Sequence, residues 1–198
     1  MALQPRTYLG DIAICELPCW YGIVPGRTSI DQAVNILHTI TFIESDSIKR
    51  VNVGGSTDVS WRFTANAFGH VIFKDDTLIK MSIAPTGLLL GDVIEQIGEP
   101  DTISAGYEPA EIVSYSLTLY YPHKGIVVRV LDEVKGDLTE PQRITQDLNV
   151  SEIQLFVPTT IEDFLTTVAG QPKDNVDRLL GRLQLWPGFG NNVIQIKP

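Results

Sequence analysis

Three stretches of the chain place apolar residues at i, i+3, i+4 and i+7: Ile30, Ala33, Val34, Leu37; Leu90, Val93, Ile94, Ile97; and Ile161, Phe164, Leu165, Val168. That spacing is the buried stripe of an amphipathic helix. The first stripe follows a Pro25-Gly26 turn, with Thr28 or Ser29 as cap and Ser29 with Gln32 as a capping box. The second, predicted over Leu88 to Ile97, is ended by Gly98 and Pro100. A two-turn helix does not persist alone in water, so its stripe must be buried on a neighbour. The third starts after Pro158, with Thr159 and Glu162 as capping partners, and stops near Ala169-Gly170. A fourth, from about Asp174 to Leu185, carries Val176, Leu179, Leu180 and Leu183 on one side.

Between the helices the period falls to two, the mark of half-buried strands. Val59, Trp61 and Phe63 alternate with Ser60, Arg62 and Thr64, and Val71 and Phe73 with His70, Ile72 and Lys74. Ile79, Met81 and Ile83 then alternate with Lys80, Ser82 and Ala84, after a hairpin turn at Lys74-Asp75-Asp76-Thr77. A second set gives Val113, Tyr115, Leu117, Leu119 and Tyr121, a turn at Pro122 to Gly125, and Ile126 to Leu131. Strands are also expected over Val150 to Val157 and Val193 to Lys197, and Asp132 to Asn149 reads as a long exposed loop. Short turns between neighbouring strands mean antiparallel meanders with one face on helices and the other free.

The first two stripes lie 60 residues apart, each ahead of β-rich sequence. The expected fold is therefore α+β: tandem units of short helices packed on antiparallel β-meanders, closed by a C-terminal helical pair. The expected segments are an N-terminal stretch (1–24), a first helix-plus-sheet unit (25–85), a second (86–157), and the helical pair with a final strand (158–198).

Composition narrows the function more than it names one. At 198 residues and 43% hydrophobic content the chain can bury roughly 70% of its unfolded surface without metal or many disulfides. A net charge of −9 argues against nucleic acid and anionic membranes as partners, since both require clustered Lys and Arg. No apolar run is long enough to span a bilayer. Met1 to Asp11 lacks the basic and apolar regions of a signal peptide, so the chain is read as cytoplasmic if Met1 is the native start, or as beginning after a removed export segment. Cys15 and Cys19 fit neither the C-x-x-C redox spacing nor a zinc site. They read as a local disulfide, which favours an extracytoplasmic location, or as two free thiols.

Short helices ended by Gly-x-Pro and followed by meanders, twice over, resemble two related groups. One is the small lipoprotein of the outer-membrane β-barrel assembly machinery; the other is the β-lactamase inhibitor protein. The carrying residues are Gly26-Arg27-Thr28 with its helix, and Leu90-Gly91-Asp92-Val93-Ile94-Glu95-Gln96-Ile97-Gly98-Glu99-Pro100-Asp101. Pro18 to Thr28 also resembles the start of bacterial surface lipoproteins that finish on a Trp-x-Gly-aromatic-Gly stretch, here Trp186 to Gly190. The resemblance implies a non-enzymatic, extracytoplasmic binding or scaffolding module of the bacterial cell envelope, and leaves room for a lipid anchor upstream of residue 1.

No catalytic constellation emerges. His38, His70 and His123 share no spacing, and G-x-S-x-G, H-E-x-x-H and phosphate-loop motifs are absent. Asp75-Asp76 and Asp132-Glu133 read as solvated turn acids rather than calcium ligands. No cofactor and no metal is expected. Two binding candidates are left. Trp20, Tyr21, Trp186 and Phe189 sit in Pro/Gly-rich loops, where they either plug the core or form a binding edge. The polar strand face displays Ser60, Arg62, Thr64, His70, Lys74, Lys80, Ser82, Ser114, Ser116, Thr118, Tyr120 and Arg129, with no Asp or Glu expected in those strands. Arg62, His70, Lys80, Ser116, Tyr120 and Arg129 are the residues on which an acidic protein partner, an envelope component or a polar ligand would rest. The same lack of acids also follows from their poor fit to strands in general. A small-molecule-binding protein or an enzyme with a pocket between sheet and helices is the alternative.

Overall fold

The described strands form one antiparallel sheet. The computed structural model describes residues 4–10, 15–108, 114–133 and 143–190. Its eight antiparallel strands are β1 (Lys49–Val53), β2 (Ser56–Arg62), β3 (Phe68–Lys74), β4 (Thr77–Ala84), β5 (Thr102–Glu108), β6 (Ser114–Tyr121), β7 (Ile126–Glu133) and β8 (Val150–Phe156). They lie in the order β1-β2-β3-β4-β8-β7-β6-β5, so two meanders meet edge to edge through β4 and β8. The helices are α1 (Pro5–Leu9), α2 (Ile30–Thr39), α3 (Leu90–Ile97), α4 (Ile161–Asp163, continued by a π-helical turn over Phe164–Val168) and α5 (Lys173–Leu180).

The helix starts follow their capping chemistry. Ser29 Oγ accepts from the Gln32 amide while Gln32 Oε1 accepts from the Ser29 amide. The β3–β4 turn adds a long-range cap, because Asp76 Oδ1 accepts from the Ile30 amide at 3.0 Å. Asp75 and Asp76 both hold positive φ, the backbone of a two-residue hairpin turn matched to strand twist. At the other end of α3, Lys124 donates to the Ile97 carbonyl and so faces the negative end of the helix dipole.

The first face of the sheet carries the main core. Trp61, Phe63, Val71, Met81, Leu117, Leu119, Val128 and Ile153 pack there against Leu9 of α1, Ala33 and Leu37 of α2, and Val93 and Ile97 of α3. Gly69 lies opposite Trp61, and a Cβ at that position would stand 2.3 Å from the indole ring. Only a glycine lets the ring lie flat across its neighbour strand.

The second face is covered over part of its extent. Phe164 and Leu165 of the π turn and Val176 of α5 bury Tyr120, Val127 and Phe156 in a smaller, separate cluster. The C-terminal pair, expected to close the array, lies on the opposite side of the sheet from α2 and α3. Beyond α5 the chain rounds the sheet edge: Gln184 exchanges two backbone hydrogen bonds with Ile103 of β5, and Trp186 and Phe189 then pack against the main core. The outer edge of β5 is thus engaged at Ile103, which limits its freedom to pair with another strand.

Several expectations are corrected. Strands β1 and β5 were not foreseen. The stretch 132–149 is not one exposed loop, since β7 runs to Glu133 and Ile144 and Leu148 are buried. A register shift at Ile72/Phe73 turns Leu78 rather than Ile79 into the core. The cap of α4 is Thr160, accepting from the Asp163 amide, rather than Thr159 with Glu162. The strands are not free of acids: Asp58 lies in β2 and Glu152 in β8. Val113 and the strand expected over 193–197 fall outside the described residues.

Candidate functional site

One row of cross-strand neighbours crosses the second face: Ser60, His70, Ser82, Gln154, Val127, Tyr120 and Thr102. Because side chains alternate, register alone aims all of them to the same side. The C-terminal helices divide that row into an open part and a covered part.

The open part is a shallow furrow of about 330 Å³ over β3, β4, β8 and β7. Phe68 and Leu131 rim it, 44% and 42% exposed. His70 Nε2 and Ser82 Oγ on its floor are buried without a hydrogen-bond partner among the described residues. The charges nearby are paired, Arg62 Nε lying 3.2 Å from Glu44 and an Arg129 nitrogen 3.5 Å from Glu152, and the Asp58 carboxylate stands 3.9 Å from His70 Nδ1. The acid-free, basic face expected from the sequence is therefore corrected here to a charge-balanced one.

The covered part is a half-enclosed groove of about 500 Å³ between the sheet and the helices. Lys80 of β4 and Arg129 of β7 face it from the sheet, and Arg178 of α5 and Arg182 just beyond face it from the helices. Among the described residues, no Asp or Glu lines it. Ser104, Ser116, Thr118, Gln154 and Gln171 add neutral donors and acceptors, and Phe164 and Leu165 supply apolar wall. Tyr120 and Ser104 share a hydrogen bond of 3.2 Å.

The sequence-derived candidates thus separate. Arg62 and His70 belong to the open side, and Lys80, Ser116 and Tyr120 to the groove, with Arg129 touching both. Tyr120 is only 5% exposed and packs against Phe164, so its ring is not displayed to a partner as expected. Trp20 is fully buried, stacked on Trp61 at 5.7 Å between centroids, and its loop position conceals a core residue. Tyr21, Trp186 and Phe189 are partly buried against that core. Cys15 and Cys19 are joined in a disulfide, with Cα atoms 5.7 Å apart. Arg178, Arg182 and Ser104 were missed. The available signal was the four-residue offset of Arg178 and Arg182, beside the stripe of a helix that had to lie on something.

Burial raises the Tyr120 hydroxyl above its ordinary value, against opposing contributions from Ser104, Arg129 and Thr118. Tyr121, which donates to the Gly98 carbonyl, is raised by burial and then by Asp101 and Glu99. A raised folded-state tyrosine stabilises the fold below the unfolded value of about 10, and that contribution is lost as pH climbs through the folded value. Stability attributable to these two groups should accordingly be level from about pH 7 to 9 and fall above about 10. Denaturant midpoints across that range test it; a midpoint already falling between neutrality and pH 9 in step with phenolate absorbance would contradict it.

Among the described residues, no group of three or more His, Cys, Asp or Glu is placed to hold a metal, and no helix is long and apolar enough to cross a membrane. No protein-family model matches the chain, and no match to a curated protein is found. Among solved structures, the chain is similar to a cysteine-rich secretory protein from Staphylococcus aureus, at 9% sequence identity and a TM-score of 0.39. That similarity covers 83% of this chain and 52% of the staphylococcal one, so the chain spans about half the length of that protein.

Proposed function

We propose that this protein is a non-enzymatic binding module that acts outside the cytoplasm, and that it is built from two helix-plus-meander units, α2 with β1–β4 and α3 with β5–β8. The pairing of β4 with β8 would then be the junction between the units, and the C-terminal pair an addition on one of them. The disulfide supports the compartment, because such bonds rarely persist in a reducing cytosol. The partner is another protein or a cell-envelope component, met through the uncovered part of the second sheet face.

The observation that carries this reading is the furrow itself. Its rim sets Phe68 and Leu131 in solvent beside two buried polar atoms, His70 Nε2 and Ser82 Oγ, that no group among the described residues satisfies. Buried polar atoms are nearly always paired, and leaving one unpaired costs about 1–3 kcal/mol. A partner that lays an apolar side chain between Phe68 and Leu131 covers both, and a small side-chain shift at the floor would let His70 and Ser82 bond a carbonyl or hydroxyl of that partner. Paired charges around the furrow favour a partner surface of mixed polarity over a strongly acidic one.

The test is site-specific photo-crosslinking in the producing cell. A crosslinker at Phe68 should give one discrete adduct, whereas one at Asn35, exposed on α2, should not. The Phe68 adduct should vanish when Ser82 is replaced by leucine in a protein that still melts normally. Adducts that are identical from the two positions, or absent from both, would sink the reading. A second reading, capture of a small molecule, is favoured by the larger groove between sheet and helices rather than by the furrow.

A further inference from the structure

We infer that the groove under the C-terminal helices is a binding site for a small organic anion carrying two or more carboxylate or phosphate groups, held between Lys80 and Arg129 on the sheet and Arg178 and Arg182 on the helical side. The inference stands apart from the open furrow and from whatever partner meets it.

Charge placement is the first ground. The chain holds 24 acids to 15 bases, yet among the described residues four bases and no acid line this one groove. Holding the helices to the sheet does not require them. That contact is apolar, made by Phe164, Leu165 and Val176 on Tyr120, Val127 and Phe156. Like charges gathered around a cavity with low-dielectric walls repel one another in the empty state, and the same walls strengthen the field felt by an entering anion. Among the described residues, no ion pair engages Lys80 or Arg182, while Glu152 steadies Arg129 and Asn175 accepts a hydrogen bond from Arg178.

Chemistry and size narrow the ligand. Arginine presents a planar fork that matches a carboxylate or phosphate through two parallel hydrogen bonds, and three of the four cations are arginines. Cations on two opposed walls suit a ligand with an anionic group at each end. Ser116 and Thr118, both on β6, line the groove as well and offer neutral hydroxyls to a ligand. The volume of about 500 Å³ falls within the range of small-molecule sites. The π turn and α5 wall the groove on the side away from the sheet.

The experiment is calorimetric titration of the whole protein at low ionic strength with citrate and, separately, with glycerol 2-phosphate. At least one should bind saturably at a single site. Citrate alone would identify a carboxylate ligand, glycerol 2-phosphate alone a phosphate ligand, and competition between the two their shared chemistry. Lys80→Gln and Arg182→Gln should each weaken binding about tenfold, the size expected for one charge-assisted hydrogen bond. Arg50→Gln, remote from the groove and paired with Asp31, should leave binding unchanged. The empty Lys80→Gln and Arg182→Gln proteins should melt no lower than the wild type, since they lose only repulsion. Absence of saturable binding by both probes, or equal weakening by Arg50→Gln, overturns the assignment. So does binding of hexaglutamate where neither small anion binds, which would give the groove to an acidic polypeptide.

Discussion

Replacing Trp61 by alanine is expected to destabilise the protein by about 3–5 kcal/mol, the range for removing a large buried aromatic side chain. At this chain length that corresponds to a fall in melting temperature of very roughly 10 °C or more. The indole is fully buried and lies across Gly69. It stacks on Trp20 at 5.7 Å and stands 6.2 Å from Phe63, whose ring in turn stacks on Phe42 at 6.1 Å. The cavity left behind cannot collapse easily, because β2 and β3 are fixed on either side by their ladder. Trp61→Phe should cost much less, about 1 kcal/mol, since it keeps a ring over Gly69 and removes an indole N–H that is buried without a partner. The two midpoints by chemical denaturation give the comparison. A loss below about 1 kcal/mol for the alanine variant would mean that this aromatic cluster does not hold the N-terminal segment to the sheet.

That cluster also explains why the loop aromatics were hard to read. Trp20 lies in a Pro/Gly-rich stretch, and such a stretch does not tell whether its tryptophan faces inward or outward. The answer depends on Trp61, Phe63 and Phe42, which are distant in sequence and meet it only through the fold. Local signals were legible wherever the chemistry was local. The Ser29–Gln32 box, the Asp75-Asp76 turn and the alternation of β2, β3 and β6 all read directly from neighbouring residues. The two outer strands were illegible for opposite reasons. Every residue of β1 is exposed, so Lys49 to Val53 has no buried face to alternate with. Strand β5 is built of small residues around Ala105 and Gly106, which carry little apolar signal.

The candidate site shows the same division. Alternation correctly grouped Lys80, Ser116, Tyr120 and Arg129 on one face, because a strand's period fixes the side on which each residue lies. What lies on that face is a different question. The stripe of Ile161, Phe164, Leu165 and Val168 says that the C-terminal helices need a surface, but nothing local selects one sheet face over the other. Arg178 and Arg182 become meaningful only once that selection has been made. The choice is legible in retrospect: Tyr120, Val127 and Phe156 cluster apolar side chains at one end of this mixed face, and those three form the seat of the helices.

That seat yields the second large effect. Phe164→Ala is expected to remove about 3–4 kcal/mol from the C-terminal pair while leaving the sheet folded. Phe164 is buried, with its ring 4.5 Å from that of Phe156 and 6.4 Å from that of Tyr120. Its cluster is separate from the main core, so its loss should act as local opening rather than global melting. Hydrogen exchange separates the two outcomes. Amides of α5 should exchange far faster in the variant, while those of β2 and β3 keep their protection; equal acceleration of all three would show that both faces form one cooperative core. The groove loses its roof in the same event. Tyr120 should then regain water, and because burial is the main cause of its raised value, its hydroxyl should titrate closer to the ordinary tyrosine range. Citrate or phosphate binding should weaken along with it, through the loss of Arg178 and Arg182 from their places opposite Lys80 and Arg129.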